Sequence, residues 1–243
     1  MIYDIAGLRI DIRNKYTYTD RFCRGYLSGE QSSPADIVAQ ASEDDILAEK
    51  ERTPDFSDGY IENICIYRHI CQQITLKDRF LLHAAVLEYK GNAYAFLGRS
   101  GTGKSTHTGL WLKHIKGVKI LNGDKPILHY TENGVFVYGT PWMGKEKLGY
   151  NGSAPLKGLC FLEQAKENEI SQLSIKEPVK KIFPQILHPI REDYAARTLE
   201  LVDRLILQTP SYLLRCTISE EAVKQSFEAM TGEKYDKVVA YED

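Results

Sequence analysis

Gly98, Gly103, Lys104 and Ser105 stand at the spacing G-x-x-x-x-G-K-[ST] within the run Gly98-Arg99-Ser100-Gly101-Thr102-Gly103-Lys104-Ser105-Thr106. A loop of this composition folds tightly, so that successive backbone N–H groups turn toward one anion. Ala93 to Leu97, just before it, is an apolar run that reads as a buried strand, and Ser105 to His114 reads as a helix with Leu110 and Trp111 facing inward. The start of that helix adds its partial positive charge at the same point. Lys104 can reach outer phosphates as a point charge, and the Ser105 hydroxyl can ligate Mg²⁺. The expected ligand of residues 98 to 106 is therefore a nucleotide phosphate chain, as in ATP, with its Mg²⁺.

A second chemical group follows the loop helix. Val118 to Leu121 is apolar and ends in Asn122-Gly123-Asp124. A strand that delivers an acid beside phosphates suits a Mg²⁺ ligand or a catalytic carboxylate, although Asn-Gly-Asp is also good turn chemistry. The segment Gly139 to Lys147 is too rich in Gly and Pro for regular structure, and its Lys145 and Lys147 could face phosphate or substrate or lie in solvent.

Other elements must hold these groups in place. Ile2 to Ile5 and Leu8 to Ile12 read as strands, and the aromatic alternation of Tyr16, Tyr18 and Phe22 continues that pattern. Residues 25 to 58 are polar and turn-rich, and Ile37 to Leu47 fits a strand or a short helix. Tyr60, Ile64, Tyr67, Cys71 and Ile74 recur at helical spacing. Phe80 to His83 leads into a strand from Ala85 to Tyr89, and Lys90-Gly91-Asn92 turns it into a hairpin with the strand that feeds the loop. Asn133-Gly134 marks a second hairpin between Ile127 to Tyr130 and Val135 to Tyr138. Leu156 to Leu162 is a further strand, with Ile170 to Ile175 expected to pair with it. Helices are expected from Pro178, over Tyr194 to Leu207 (Ala195, Leu199, Val202 and Ile206 inward), and from a Ser219 cap to a Gly232 stop, with a strand Tyr212 to Cys216 between the last two. Hairpins on both sides of the loop predict an α/β fold with a mixed sheet rather than a purely parallel one.

At 243 residues the chain is long enough for a core that needs no disulfide or metal. With 31 basic and 33 acidic residues it lacks the charge of a general nucleic-acid binder. No run is long enough to span a bilayer, and Asp4, Arg9 and Asp11 interrupt any leader-like apolar stretch. Five scattered cysteines without a C-x-x-C pair fit buried free thiols and a cytoplasmic location.

Leu82-His83-Ala84-Ala85, the loop Gly98 to Ser105 and the Asp124 acid occur in an order that resembles the HPr kinase/phosphorylases. The Ser-Gly-Thr-Gly-Lys-Ser form of the loop also resembles the nucleotide loop of ATP-dependent phosphoenolpyruvate carboxykinase. The resemblance covers roughly Phe80 to Cys216 and does not include the separate N-terminal domain of full-length HPr kinases. It implies a single P-loop kinase domain over residues 1–243, with a strand-rich lead at 1–58 and a nucleotide-binding core at 75–232. It further implies ATP and Mg²⁺ as cofactors, a hydroxyl acceptor on a protein, peptide or small molecule, and a homo-oligomer. In the family the acid matching Asp124 takes the acceptor's proton, and the residue matching His83 lies near the phosphates, where it could bond a γ-oxygen or position the acid.

Two departures stand out. Where the family carries a Glu-x-Arg-Gly-Leu-Gly signature, this chain has Pro155-Leu156-Lys157-Gly158-Leu159-Cys160. Lys157 replaces the arginine and Pro155 the metal-holding glutamate, which leaves Glu163 as a candidate substitute. The usual double acid is also missing, since Gly123 precedes Asp124 and Lys125 follows it. The pattern looks more like divergent HPr-kinase-like proteins that serve other acceptors. The expected machinery is Lys104, Asp124 and His83 for catalysis, residues 98–106 for nucleotide, and Ser105 with Asp124 for metal. A nucleotide sensor that transfers nothing and a carboxykinase-like lyase are the competing readings.

Overall fold

A computed structural model of the chain describes residues 1–187 and 191–238. Two antiparallel strands, β1 (Ile2–Ile5) and β2 (Leu8–Ile12), open it. A short helix α1 (Tyr18–Phe22) follows, then β3 (Ile37–Ala39), which pairs parallel with β2. Helices α2 (Glu43–Arg52) and α3 (Asp58–Gln73) complete this N-terminal unit. Of the residues expected to extend the strands, Tyr18 and Phe22 are thus helical and Tyr16 lies in the bend before them. Tyr18 and Phe22 are four residues apart, the spacing of one helix face, and their rings stack at 6.0 Å. The buried Glu62 carboxylate of α3 accepts the Lys15 and Tyr16 N–H groups at 2.6 and 2.9 Å, so the backbone ahead of α1 has a partner outside any sheet. The stretch Ile37 to Leu47 divides between strand and helix, with Ser42 and Asp45 forming the capping box that starts α2.

Among the described residues the remaining strands form one mixed sheet of nine. They are β4 (Arg79–Leu81), β5 (Ala84–Tyr89), β6 (Asn92–Leu97), β7 (Lys119–Asn122), β8 (Ile127–Thr131), β9 (Gly134–Tyr138), β10 (Ser153–Gln164), β11 (Glu169–Gln172) and β12 (Ser211–Cys216), with the main order β4-β8-β9-β10-β6-β5-β7. The sheet curls, and helices flank it. Strand β10 joins its two halves. Ser153 to Pro155 pairs antiparallel with β9, while Leu156 to Phe161 pairs parallel with β6 across a bulge between Leu156 and Gly158. Because β6 and β12 both pair with β10, β11 adds to the far edge of β12 instead. The expected pairing of Ile170 to Ile175 with Leu156 to Leu162 is corrected accordingly.

Among the described residues, α4 (Lys104–His114), α5 (Lys176–Ile182), α6 (Glu192–Gln208) and α7 (Glu220–Thr231) lie in this part. The sheet's two faces sort residue by residue along each strand. Ala93, Ala95 and Leu97 of β6 pack with Leu201, Val202 and Leu205 of α6, whereas Tyr94 and Phe96 pack with Trp111 of α4 and Phe227 of α7. The inward row of α6 is Thr198, Leu201, Val202, Leu205 and Ile206; Leu199, expected inward, is exposed. Ser219 caps α7 by accepting the Ala222 N–H, and Gly232 closes the helix in a left-handed conformation. Ile66 and Ile70 of α3 share a third cluster with Leu81, Ile127 and Trp142, which fixes the N-terminal unit to the sheet. Among the described residues no helix is long and apolar enough to cross a membrane.

Candidate functional site

Three neighbouring strands bring the chemistry to one end of the sheet. Strand β5 lies between β6 and β7, with Ala84 opposite Leu97 and Val86 opposite Asn122. The residue entering β5 is His83, the loop leaving β6 begins at Gly98, and the turn leaving β7 carries Asp124. Pairing register therefore delivers His83, the glycine-rich loop and the acid to the same edge, where the Ala84 N–H donates to the Asp124 carbonyl at 3.0 Å.

The loop is built by glycines at two demanding points. Gly103 caps α4 with φ 100°, a conformation that L side chains adopt only with strain. A Cβ on Gly98 would lie 2.5 Å from Thr102 Oγ1. From Lys104 onward the helix leaves its first N–H groups without intrahelical acceptors and directs its dipole at the loop. Ser105 and Thr106 are exposed at that end. Lys104 is largely buried, and its Nζ donates to Gly98 O at 2.7 Å and to Arg99 O at 3.4 Å. Burial lowers its pKa, opposed by the nearby Asp124 charge.

Opposite stands a charged cluster. Asp124 Oδ1 contacts His83 Nε2 at 3.0 Å, and Oδ2 accepts from Lys125 Nζ at 2.7 Å. Burial works to raise the Asp124 pKa, but the hydrogen bonds from His83 and Lys125 outweigh it and hold the carboxyl at about 2. The turn is fixed by Asn122, which is fully buried. Its Oδ1 accepts the Asp124 and Lys125 N–H groups at 2.9 and 2.7 Å, and its Nδ2 donates to Thr140 O at 3.1 Å. Thr140 Oγ1 in turn donates to Lys125 O at 2.7 Å. The irregular segment after β9 thus clasps the acid turn, and the Gly123 N–H donates to Leu148 O at 3.0 Å. Trp142 anchors that segment against Tyr67 of α3, ring centroids 4.9 Å apart.

Between the two walls lies a cleft of about 550 Å³, lined by His83, Ser100, Gly101, Gly103 to Thr106, Gly123 to Lys125 and Met143 to Glu146. Lys145 therefore joins the site. Lys147, Glu163 and Lys157 are not among its lining residues: Lys147 is exposed with φ 52°, Glu163 pairs with Lys181 at 2.6 Å, and Lys157 is exposed at the β10 bulge. Gly98, Arg99 and Thr102 shape the loop without lining this cleft. A second hollow of about 350 Å³ shares Gly101, Gly103 and Thr106 with the first, so the loop is the partition between them. Leu110, Gln164, Thr217 and the exposed Ile218 form its walls, with His107 also surfacing there.

Sequence reasoning read Asn122 only as turn chemistry and passed over Thr140 and His107. The Asx-turn signal of an Asn two residues before an acid is the bond Asn122 makes. Thr140 and His107 carry no local signal, because each acts through a residue remote in sequence.

Side-chain oxygens among the residues lining the first cleft belong to Ser100, Ser105, Thr106, Asp124 and Glu146. Among the described residues there is no group of three or more His, Cys, Asp or Glu that could hold a metal alone. No protein-family model matches the chain, and no curated protein matches it either.

Proposed function

We propose that this chain is a Mg²⁺–ATP-dependent kinase of the HPr kinase-like group, with a P-loop kinase core, that transfers the γ-phosphoryl group to a hydroxyl. The observation that supports this reading is one cleft with the N-terminus of α4 on one wall and the His83–Asp124–Lys125 cluster on the other. Backbone groups of the loop from Arg99 to Gly103 cradle the β-phosphate, and Lys104 leaves its two carbonyl partners to neutralise the outer phosphates. The hard oxygen donors Ser105 and Asp124 suit Mg²⁺, which takes few protein ligands and completes its shell with phosphate and water. When bound, the ion neutralises charge on the phosphates.

The acceptor oxygen forms a bond to the γ-phosphorus as the bond from that phosphorus to the β–γ bridging oxygen breaks, and ADP leaves with the electron pair. A carboxyl held at about 2 is a weak proton acceptor at neutral pH. Asp124 therefore orients the acceptor hydroxyl and holds cation, and the acceptor's proton passes late to a non-bridging oxygen of the transferred phosphoryl group, as a loose transition state permits. His83 positions Asp124 by occupying Oδ1.

A second reading is a nucleotide sensor that transfers nothing. It is favoured by the full engagement of both Asp124 oxygens by cationic or N–H partners. One experiment separates the two. Mg²⁺–ATP is incubated with HPr protein, serine-ended peptides and small hydroxyl compounds, and the acceptors are weighed by mass spectrometry. One added phosphate on one acceptor, lost with Asp124→Asn, is the expected result. ATP binding with no transfer to any acceptor, unchanged in that variant, favours the sensor.

A further inference from the structure

Aromatic rings of the N-terminal unit form a continuous path from solvent to the first cleft. Phe56, in the turn between α2 and α3, is 48% exposed and stacks on Tyr60 of α3 with centroids 4.6 Å apart. Tyr60 meets Tyr18 edge-on at 5.8 Å, Tyr18 stacks on Phe22 at 6.0 Å, and Phe22 lies 6.4 Å from Trp142. Trp142 is buried and immediately precedes Met143, where the wall Met143 to Glu146 begins. Tyr60, Tyr18 and Phe22 are each partly exposed, so the path shows ring surface to solvent at every step outside Trp142. A close approach of backbone holds it together. A Cβ on Gly59 of α3 would lie 2.9 Å from Tyr18 Cβ and 3.2 Å from Tyr16 Cβ, so only glycine lets these two residues seat on α3. Contiguous exposed rings of this kind mark surfaces that a partner covers.

The charges beside the path say what kind of partner. Lys15 Nζ stands 5.9 Å from the Tyr16 ring centre, and Arg21 lies on α1 between Tyr18 and Phe22. Both are exposed, and among the described residues neither side chain has an ionic partner. The acids nearby are engaged within the chain. Glu62 accepts the Lys15 and Tyr16 N–H groups, Asp20 accepts the Tyr3 hydroxyl at 3.1 Å, and Asp58 pairs with Lys50 at 3.0 Å. At the cleft end, exposed Lys145 and Lys147 flank Glu146 and add a net positive charge. Asp55, exposed beside Phe56, gives the outer end the opposite sign. The surface is therefore basic near the cleft and aromatic away from it.

We propose that this path is the docking surface for the acceptor, and that the acceptor is a polypeptide with acidic residues beside its hydroxyl and aromatic or aliphatic side chains farther along. The acids meet Lys145, Arg21 and Lys15, and the apolar side chains lie against Phe22, Tyr18, Tyr60 and Phe56. This inference rests on the kinase reading and adds the substrate class to it. With the nucleotide on the glycine-rich wall, an acceptor hydroxyl enters against the opposite wall, and the path starts there. A small acceptor fills the cleft alone and gains nothing from rings beyond Trp142. An extended chain gains at each ring, since centroid steps of 4.6 to 6.4 Å from Trp142 to Phe56 are covered by roughly seven residues at about 3.4 Å each.

The test is selection on the full wild-type chain from a displayed library of peptides with a fixed serine between randomised flanks. Enriched peptides should carry Asp or Glu next to the serine and Phe, Tyr, Trp or Leu beyond. Fluorescence anisotropy of a labelled enriched peptide should then weaken roughly tenfold with Arg21→Glu and three- to tenfold with Phe56→Ala. Lys176→Glu on α5, outside the path, should change nothing, and calorimetry should give one ATP affinity for all four proteins. Replacing the peptide's acids by their amides should weaken wild type, with little further loss in Arg21→Glu; this arm needs no folded Phe56 variant. No enriched pattern, a basic pattern, or a peptide whose affinity ignores Arg21→Glu and its own acids overturns the proposal. So does an equal loss with Lys176→Glu. An oligothymidylate that binds more tightly than any enriched peptide, and is released by the same variants, overturns it in favour of single-stranded nucleic acid. ATP binding without peptide enrichment overturns the docking inference alone, whereas no ATP binding by wild type overturns the kinase reading and the acceptor role with it.

Discussion

On one side of the main cleft every group that faces inward comes from one continuous run within residues 98 to 106. On the other, the inward groups come from His83, from the turn Gly123 to Lys125 and from Met143 to Glu146. The first wall is chiefly backbone: glycines, N–H groups and a helix end. The second is side-chain chemistry, held by Asn122, Thr140 and the anchored Trp142. A wall made by local backbone geometry tolerates change elsewhere. A wall assembled from separate segments depends on the sheet register and on buried polar contacts that must all be satisfied together.

That contrast is testable by variants on each wall. The largest effect is expected at Lys104. Lys104→Ala should lower turnover roughly a thousandfold with a stability loss of only about 1 kcal/mol, measured by steady-state kinetics beside thermal melting. Asp124→Asn should lower turnover roughly a hundredfold while ATP binding by calorimetry persists. A variant that loses ATP binding as well would place the acid on the nucleotide side of the contrast.

Asn122→Ala should behave differently from both. It leaves the Asp124 and Lys125 N–H groups and Thr140 O without their buried partner, so it should cost roughly 3 kcal/mol of stability and reduce turnover through a loosened acid. Chemical denaturation measures the first effect. An unchanged midpoint would mean that the turn holds without its Asn.

Acid titration sharpens the comparison on the second wall alone. The folded Asp124 carboxyl is depressed from 3.8 to about 2. The stability it contributes is present above the unfolded value and lost as pH falls through the folded one. Between pH 4 and 2 wild type should therefore lose about 2 kcal/mol that Asp124→Asn does not, read as converging denaturation midpoints. The smallest expected effect is Ser105→Ala, which should raise the Mg²⁺ needed for half-maximal turnover about tenfold with melting unchanged.

Much of the fold was legible in the residues. The hairpin around Gly91, the apolar runs of β6 and β10, the loop and its helix, and the Ser219 and Gly232 stops of α7 all follow from local chemistry. Local pattern failed where a distant partner decided. Tyr18 and Phe22 fit alternation and helix alike until Glu62 and Tyr60 of α3 are present. Strand β11 could not know that both edges of β10 were taken. In α6 the neighbouring apolar row, Leu201 and Leu205, took the core in place of Leu199.

The sequence by itself determined the glycine-rich wall, because a glycine-rich turn between strand and helix specifies its own backbone geometry and charge. Only the tertiary structure decided the other wall and the floor of the second hollow. Nothing in the residues near Asp124 states that His83 and Lys125 will divide its two oxygens, and nothing near His107 states that its Nε2 will meet Ser226 of α7. Both outcomes depend on register and helix packing across the sheet, which bring together groups that share no local code.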